Sequence, residues 1–230
     1  GHYKLYKVKG DRNAPVCVTR AVFDVEGKTM ACAGGDGSLQ VFATNMPNRP
    51  TAVQKGAHVN GSETSGLIFA GGNLLVSRGG DDTMKVWDIR KFGSSSSSVS
   101  YASSSSKKKG AAGGAPLAVF EDRMDNVSPH TGLTLSPDAS VVVTGTSVTQ
   151  RKSEGAGRQQ TGDLVFVNLA RLDVVDRFAV SDASAVSVLW HPKVNILQQL
   201  SLFTHSNFIS SAASSDPPLP SLPPSLRPLD

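Results

Sequence analysis

The chain has 230 residues, 39% of them hydrophobic, and 23 Lys and Arg against 19 Asp and Glu give a formal charge of +4. Much of the positive charge lies in two polar segments, residues 107–109 and 151–158, so the composition does not indicate a dedicated nucleic-acid surface. No segment approaches the roughly 18 consecutive apolar residues of a membrane-spanning helix. Cys17 and Cys32 have neither metal-ligand spacing nor a disulfide framework, which fits the cytosol or nucleus.

The first two predicted units of the chain share one pattern of strands and turns. Residues 21–43 and 65–88 align so that Asp36 matches Asp81 and Phe42 matches Trp87, and each pair is 45 residues apart. A period of about 40–45 residues is typical of WD-repeat blades, each of which is a four-stranded sheet. Because the chain begins inside this pattern and without Met, we expect it to be a piece of a longer protein.

The pattern continues along the chain with two interruptions. Residues 133–147, with a turn at Ser136-Pro137-Asp138, and residues 163–168 predict the strands of a third unit, and residues 186–195 begin a fourth. The sequence therefore predicts an all-β fold, a WD-repeat β-propeller fragment of about three blades plus the start of a fourth. Closed propellers have about 4–8 blades, so these units alone are not expected to close a ring.

Three segments lack apolar periodicity. Residues 93–115 and 148–161 are predicted to be disordered surface insertions within the propeller region, which spans residues 1–195. Residues 196–230 form a Pro- and Ser-rich tail that is not expected to form a regular sheet. The composition of this tail favours a misread intron or a frameshift over a genuine terminal extension.

Four polar residues of the second unit have the order of a hydrogen-bonded tetrad that WD-repeat blades share. The tetrad has a His before the first strand, Ser or Thr on the second, Asp in the next tight turn and Trp on the third. The matching residues here are His58, Ser77, Asp81 and Trp87. A turn carboxylate can accept from N–H groups and from an imidazole, and an indole N–H can only donate. Such a satisfied, buried network is predicted to make the blade rigid.

The first and third units depart from this pattern. Phe42 stands at the Trp position of the first unit, and its ring has no N–H to donate, so a complete tetrad is not expected there. The third unit has Thr146 and Ser147 without an acidic partner. We expect that blade to be held mainly by apolar packing.

The same residue types also suggest enzymatic sites, which the pattern does not favour. Ser77 is not part of a Gly-x-Ser-x-Gly elbow, so a Ser-His-Asp nucleophile is disfavoured. The glycine-rich segments at Asp36 and Asp81 each join two strands, whereas a phosphate loop should open a helix. His130 and His191 lack metal-ligand spacing. We expect no enzymatic activity, no cofactor and no metal.

Several longer runs resemble one family of WD-repeat proteins, the gastrulation-defective-like family. They are SRGGDDTMKVWDIRKF at residues 77–92, SPDASVVVTGTSV at 136–148, SVLWHPKVN at 187–195, and the shorter KGAH and GDLVFVN. The resemblance covers residues 1–195 outside the two insertions and stops after Asn195, where the family continues with a strand pair. It implies a nuclear protein of the response to DNA double-strand breaks, acting through histone ubiquitylation.

A short motif suggests how such a role would work. Trp87, Asp88 and Arg90 resemble the WDxR box of WD-repeat receptors of cullin-RING ubiquitin ligases, in which the Arg reaches the damaged-DNA-binding adaptor. Arginine suits an interface because its planar fork is always charged and can bond in bidentate fashion. The alternative is that Asp88 and Arg90 simply end a strand on a solvated rim.

These observations lead to one hypothesis and two alternatives. The first is a non-catalytic, nuclear protein-interaction scaffold that serves as a substrate receptor of a cullin-RING ligase. The second is an assembly factor in an RNA-processing complex, and only the first needs Arg90 at an interface. The third, which is less favoured, is direct nucleic-acid binding through residues 107–109 and 151–158. No membrane partner is expected.

Overall fold

The computed structural model of the chain describes residues 4–10, 14–59, 62–93, 114–126, 130–147, 149–153, 156–181, 184–191, 193, 196–201 and 208–211. These residues form sixteen β-strands and a short 3-10 turn, Ile89–Lys91. No helix among them is long and apolar enough to cross a membrane. The chain divides into two compact units, Gly1–Phe120 and Glu121–Asp230.

The first unit contains two four-stranded antiparallel sheets, blades 1 and 2, each with its strands in chain order. Blade 1 consists of β1 (Val18–Phe23), β2 (Thr29–Gly34), β3 (Leu39–Ala43) and β4 (Ala52–Gln54). Blade 2 consists of β5 (Thr64–Phe69), β6 (Leu74–Gly79), β7 (Met84–Asp88) and β8 (Ala118–Phe120). The two glycine-rich segments join β2 to β3 and β6 to β7, as predicted. Each makes the same turn: Gly34 N–H donates to Ser38 O at 2.8 Å, and Gly79 N–H to Thr83 O at 3.0 Å.

Blades 1 and 2 share one apolar core. Small and branched side chains from β2 and β3 meet aromatic and aliphatic side chains of blade 2, and the buried members are Ala31, Ala33, Leu39, Val41, Ala57, Phe69, Leu75, Trp87 and Phe92. Trp87 and Phe92 contact edge to face, with ring centroids 5.8 Å apart. Arg20 Nε also donates to Ser65 O at 2.8 Å, joining β1 to β5. Burial of apolar surface between neighbouring repeats is the main source of stability in such arrays.

The second unit contains a third and a fourth sheet. Blade 3 has β10 and β12 at its centre, with β9 beside β10 and β13 beside β12. The strands are β9 (Leu133–Leu135), β10 (Val141–Gly145), β11 (Thr149–Ser153), β12 (Ala156–Asn168) and β13 (Asp173–Ser181). Blade 4 has three strands in chain order, β14 (Ala185–Trp190), β15 (Ile196–Ser201) and β16 (Phe208–Ser211). The prediction of three blades and the start of a fourth is confirmed.

The prediction that the insertion at residues 148–161 is disordered is wrong for most of its length. β11 and the first part of β12 pair antiparallel, with Thr149 opposite Thr161 and Gln150 opposite Gln160. The apolar alternation of a half-buried strand is missing because this hairpin continues beyond the part of β12 that pairs with β10 and β13. Two strands joined by backbone hydrogen bonds need no apolar face at that point. Residues 94–113 of the other insertion lie outside the described residues.

The prediction that the tail lacks a regular sheet is also wrong for its first part. β15 pairs with β14, and β16 pairs with β15. Leu197 is buried in the core shared by blades 3 and 4. Proline is what disfavours a sheet, and the first proline after Asn195 is Pro217, beyond β16. Residues 212–230 lie outside the described residues.

Candidate functional site

Blade 2 brings the four predicted tetrad residues together. His58 lies in the connection between β4 and β5, Ser77 on β6, Asp81 in the turn after β6, and Trp87 on β7. His58 Nδ1 lies 2.9 Å from Asp81 Oδ1, and His58 Nε2 lies 2.9 Å from Ser77 Oγ. Trp87 Nε1–H donates to the same Ser77 Oγ at 2.9 Å. The four side chains therefore form one continuous chain of hydrogen bonds across two strands and two connections.

A neutral imidazole satisfies every member of this chain. Trp87 can only donate, so Ser77 Oγ accepts from it and gives its own proton to His58 Nε2. Nδ1 of His58 then carries the ring proton and donates to the Asp81 carboxylate. His58 and Ser77 are fully buried. A buried network with no unmet donor or acceptor fixes the relative positions of its strands, because any displacement would leave a polar group unpaired.

The Asp81 carboxylate receives further hydrogen bonds that hold its charge in place. Thr83 Oγ1–H donates to Oδ1 at 2.8 Å, and the backbone N–H of Val59 donates to Oδ2 at 3.0 Å. Burial alone would raise the pKa of Asp81, but the hydrogen bond from His58, the charge attraction of a protonated His58, and the hydrogen bonds from Thr83 and Val59 outweigh it and hold that pKa well below its usual range. Asp81 is therefore ionised in the folded protein, and both of its carboxylate oxygens accept hydrogen bonds within the blade.

Gly79 is required by the close packing of this network. A Cβ at Gly79 would overlap His58 Nδ1 and Asp81 Oδ1, whereas a Cβ at the next residue, Gly80, would come no closer than 3.5 Å to the backbone of Glu63. The first glycine of the pair thus leaves room for the imidazole. Neither this role of Gly79 nor that of Thr83 is predicted by the repeat pattern. A signal for Thr83 was present, since Ser38 follows Asp36 at the same distance and donates to it at 2.6 Å.

The arrangement of Ser77, His58 and Asp81 matches a nucleophile triad in composition but not in access. Ser77 has no solvent-exposed surface. Its oxygen also accepts the indole N–H of Trp87, so one of its lone pairs is already occupied. A nucleophile must reach a bound substrate. This Ser77 hydroxyl cannot do so in the folded blade.

Blade 1 replaces the tetrad with an apolar cluster. Cys32 lies 45 residues before Ser77, and Phe42 lies 45 residues before Trp87. These two side chains pack with Val8 and Met30 in a buried cluster, and Tyr6 contacts Phe42 edge to face with centroids 5.6 Å apart. Burial raises the pKa of the Cys32 thiol to about 11. Blade 1 therefore lacks both the indole donor and the hydroxyl acceptor. Because both groups are absent, no buried donor or acceptor of the tetrad is left unpaired.

Blade 3 contains a buried acidic residue that the sequence analysis did not place. This residue is Asp163, which is 1% exposed. Its backbone N–H donates to Thr146 Oγ1 at 3.0 Å. One carboxylate oxygen of Asp163 lies 3.7 Å from Arg177 Nη1. The contact between Asp163 and Thr146 is made by the backbone N–H of Asp163, so the expectation that Thr146 and Ser147 have no acidic side-chain partner stays a prediction. Apolar packing also contributes, through Val143, Leu164 and Phe166 among others.

The WDxR residues lie at the end of β7. Asp88 is the N-cap of the 3-10 turn and accepts the backbone N–H of Arg90 at 3.1 Å. The Arg90 guanidinium also donates to Asp88 through Nε at 2.9 Å and Nη2 at 2.7 Å. These hydrogen bonds from Arg90 lower the pKa of Asp88 to about 2. The Arg90 side chain remains 70% exposed, so the local pair holds the guanidinium at the surface.

No group of three or more His, Cys, Asp or Glu side chains that could hold a metal occurs among the described residues. Of the two histidines outside the tetrad that the structure describes, His130 is exposed, and His191 Nδ1 accepts the backbone N–H of Lys193 at 3.2 Å. Cys17 and Cys32 are both free thiols. The lysines at residues 107–109 lie outside the described part of the chain.

Comparison with known proteins agrees with the geometry. WD repeat-containing protein 70 of Xenopus laevis is 34% identical over 195 residues, covering 84% of this chain and 27% of that protein. The Xenopus tropicalis protein of the same name is 35% identical over 196 residues, covering 85% and 26%. The gastrulation defective protein 1 homolog of Drosophila melanogaster is 29% identical over 177 residues, covering 76% and 23%. The chain thus spans about a quarter of the length of these relatives.

Solved structures support the fold. The β-propeller domain of Cps50 (Swd1) from Myceliophteria thermophila matches with a TM-score of 0.58 and 14% identity, covering 92% of this chain and 60% of that one. A chain of the mitotic checkpoint complex matches with a TM-score of 0.56 and 15% identity, covering 87% and 50%. No model of a known protein family matches the sequence.

Similarity to WD-repeat propellers supports a protein-interaction scaffold, since such propellers generally bind other proteins and carry no catalytic site. The absence of enzymatic activity in this chain stays a prediction. The repeat, the four sheets and the relatives agree: the chain is a WD-repeat β-propeller protein that resembles WD repeat-containing protein 70, of the gastrulation-defective-like family.

Proposed function

We propose that this protein is a nuclear substrate receptor of a cullin-RING ubiquitin ligase and acts in the response to DNA double-strand breaks. Its blades present binding surfaces, and the attached ligase performs the chemistry. The observation that carries the proposal is the exposed guanidinium of Arg90, held by a bidentate pair with the nearly buried Asp88. The proposed partner is the damaged-DNA-binding adaptor of the ligase.

The geometry of the pair suits recognition by a partner. Nε and Nη2 of Arg90 are committed to Asp88, which leaves Nη1 and the flat face of the guanidinium for a contact. Arginine loses side-chain entropy when it binds, at about 0.5–1.5 kcal/mol for an immobilised long side chain. Because Asp88 already restricts Arg90, part of this side-chain entropy is lost before the partner binds, and binding itself costs less. Asp88 is thus a positioning residue for Arg90.

Blades 1 and 3 do not repeat this arrangement. In blade 3, Asn168 caps the turn after β12 by accepting the N–H groups of Ala170 and Arg171 at 3.0 and 2.9 Å, so Ala170 stands where Arg90 does. In blade 1, Ala43 and Asn45 stand at the positions of Asp88 and Arg90. If the Asp88–Arg90 pair had a structural role common to the blades, blades 1 and 3 should carry the same pair. Its occurrence in blade 2 but not at the matching positions of blades 1 and 3 favours a specific contact.

The test measures adaptor affinity with purified full-length protein. Arg90→Ala is expected to weaken binding about thirtyfold, because an interface hot spot contributes roughly 2 kcal/mol or more. Arg171→Ala is the matched control, since Arg171 is also exposed, follows the third strand of its blade and pairs with a nearby carboxylate, Asp173. It should leave the affinity unchanged.

Retention of full affinity by Arg90→Ala would refute the receptor proposal. The role of an assembly factor in an RNA-processing complex would then be the leading hypothesis, because it does not need Arg90. Imaging of the full-length protein provides a separate check: exclusion from the nucleus, before and after induced DNA breaks, would contradict the proposed site of action.

A further inference from the structure

We infer that the β11–β12 hairpin is a nucleic-acid-binding arm that recognises double-stranded DNA through its major groove. The inference goes beyond the proposed receptor function and does not depend on Arg90. It rests on the position of the hairpin backbone, on its strand register and on the residue types that this register brings together.

The hairpin extends beyond the four-stranded part of blade 3. Pairing of β12 with β10 covers residues 164–168, and pairing with β13 begins at Gly162. Residues 156–161 of β12 pair with β11 alone among the described strands. Six residues at about 3.3 Å each make a two-stranded ribbon of roughly 20 Å. The backbone therefore provides a narrow projection with no third strand on either side among the described residues.

The ribbon is rich in residue types that contact DNA. Residues 149–161 read TQRKSEGAGRQQT, with three cations and three glutamines against one acidic residue, Glu154. The register places Arg151 opposite Gln159 and Gln150 opposite Gln160. Arginine and lysine bind phosphates and guanine edges, and glutamine forms bidentate hydrogen bonds with adenine. Cations and glutamines are thus placed together on both strands of a single ribbon.

The dimensions favour double-stranded DNA over an RNA duplex. The major groove of B-form DNA is about 12 Å wide and admits a two-stranded β-ribbon. The major groove of an A-form RNA helix is deep and too narrow for side chains to read. A disordered loop with the same charges would offer no such preformed shape. The partner is therefore B-form DNA, bound by cations that contact phosphates and by a ribbon that enters the groove.

The experiment measures the affinity of the whole chain for a mixed-sequence 20-base-pair DNA duplex at several salt concentrations, with the same sequence as an RNA duplex alongside. The test variant is Arg151→Ser/Lys152→Ser/Arg158→Ser. The matched control, Lys107→Ser/Lys108→Ser/Lys109→Ser, removes the same charge from the other polar insertion. A third variant replaces residues 151–159 with Asn-Gly and so shortens the hairpin.

We expect the hairpin triple variant and the shortened hairpin to bind DNA at least about tenfold more weakly, and the lysine triple variant to bind within about threefold of the wild type. For every phosphate that the variant no longer neutralises, the slope of log affinity against log salt should become shallower by about 0.9. The RNA duplex should bind more weakly than the DNA duplex. Equal weakening in the two triple variants would show attraction by net charge alone and overturn the inference, as would equal binding of RNA or no binding of DNA.

Discussion

Gln40 and Lys85 hold the same position on the third strands of blades 1 and 2, and each donates to a backbone carbonyl in the connection that precedes its blade. Gln40 Nε2 donates to Lys9 O at 2.6 Å, and Lys85 Nζ donates to Ala57 O at 2.7 Å. The donors are 45 residues apart but the acceptors 48, because blade 1 has two more residues before its first strand and one more in the turn between its first two strands. Gly10 therefore occupies the place of His58.

This equivalence explains why blade 1 tolerates the absence of a tetrad. A Cβ at Gly10 would lie 2.9 Å from Asp36 Oδ2, much as the His58 ring lies against Asp81 in blade 2. Asp36 instead accepts the backbone N–H and the hydroxyl of Ser38, at 3.1 and 2.6 Å. No imidazole is needed there, since Cys32 and Phe42 offer no hydrogen bond for it to relay.

Removing the Asp81 carboxylate should destabilise blade 2. Asp81→Ala leaves the N–H of Val59, the hydroxyl of Thr83 and the ring N–H of His58 without their acceptor. Unpaired buried donors cost roughly 1–3 kcal/mol in the free energy of unfolding. Chemical denaturation followed by tryptophan fluorescence measures this change. Glu26→Ala, at an exposed ion pair with Lys28, is the control and should change stability by less than about 0.5 kcal/mol. Equal stability of Asp81→Ala and wild type would contradict the structural role of the network.

The Asp81 carboxylate should also make the free energy of unfolding depend on pH. Its pKa is lower in the folded chain than the usual value of about 3.9, so the folded state binds fewer protons than the unfolded state. Its contribution is therefore fully present above about pH 4 and is lost as the pH falls below that value, through the folded pKa. We expect the stability difference between wild type and Asp81→Asn to shrink as the pH is lowered from about 5 to 2.5. A difference that stays constant over this range would contradict the prediction.

The two adjacent glycines Gly79 and Gly80 should respond differently to alanine. A methyl group at Gly79 would overlap the His58 ring and the Asp81 carboxylate, whereas at Gly80 it has only ordinary contacts. Overpacking of this kind costs about 1–3 kcal/mol. Gly79→Ala should therefore lower the melting temperature, and Gly80→Ala should leave it nearly unchanged. The prediction fails if Gly80→Ala is the more damaging of the two.

In blade 1, the introduction of a polar atom into the apolar cluster should lower the free energy of unfolding. Cys32→Ser places a hydroxyl in the cluster of Val8, Met30 and Phe42, where no indole N–H or imidazole is present to pair with it. The expected cost is about 1–3 kcal/mol in the free energy of unfolding. Cys17→Ser is a matched control because Cys17 is exposed. Similar stability of the two serine variants would show that blade 1 can satisfy the new hydroxyl.

Much of the fold could be predicted because the repeat carries long-range information. Asp36 and Asp81 mark the same turn in consecutive blades, and that spacing predicts strands on both sides of each. The order of His58, Ser77, Asp81 and Trp87 also predicts which side chains meet. Strands whose sequence lacks apolar alternation carry no such signal, and β11, which reads TQRKS, is the clearest example.

The roles of Gly79 and Asp163 could not be predicted for a different reason. Overlap of a Cβ with the His58 ring depends on the path of another segment 21 residues earlier in the chain. The partners of Asp163 depend on the alignment of β12 with β10 after an insertion whose structure the sequence did not predict. Arg90 lies between these cases, since the motif predicted its exposure but not its pairing with Asp88.

Because Cys17 is exposed and Cys32 is buried, the rates at which the two thiols react can report the local opening of blade 1. An alkylating reagent reacts with thiolate, so Cys17 should be labelled at once, whereas Cys32, buried and with its pKa raised to about 11, should react only when blade 1 opens. The ratio of the two labelling rates, read by mass spectrometry, then gives the opening equilibrium of blade 1 under native conditions. No added probe is required, and the effect of a bound partner on that blade can be followed at a single residue.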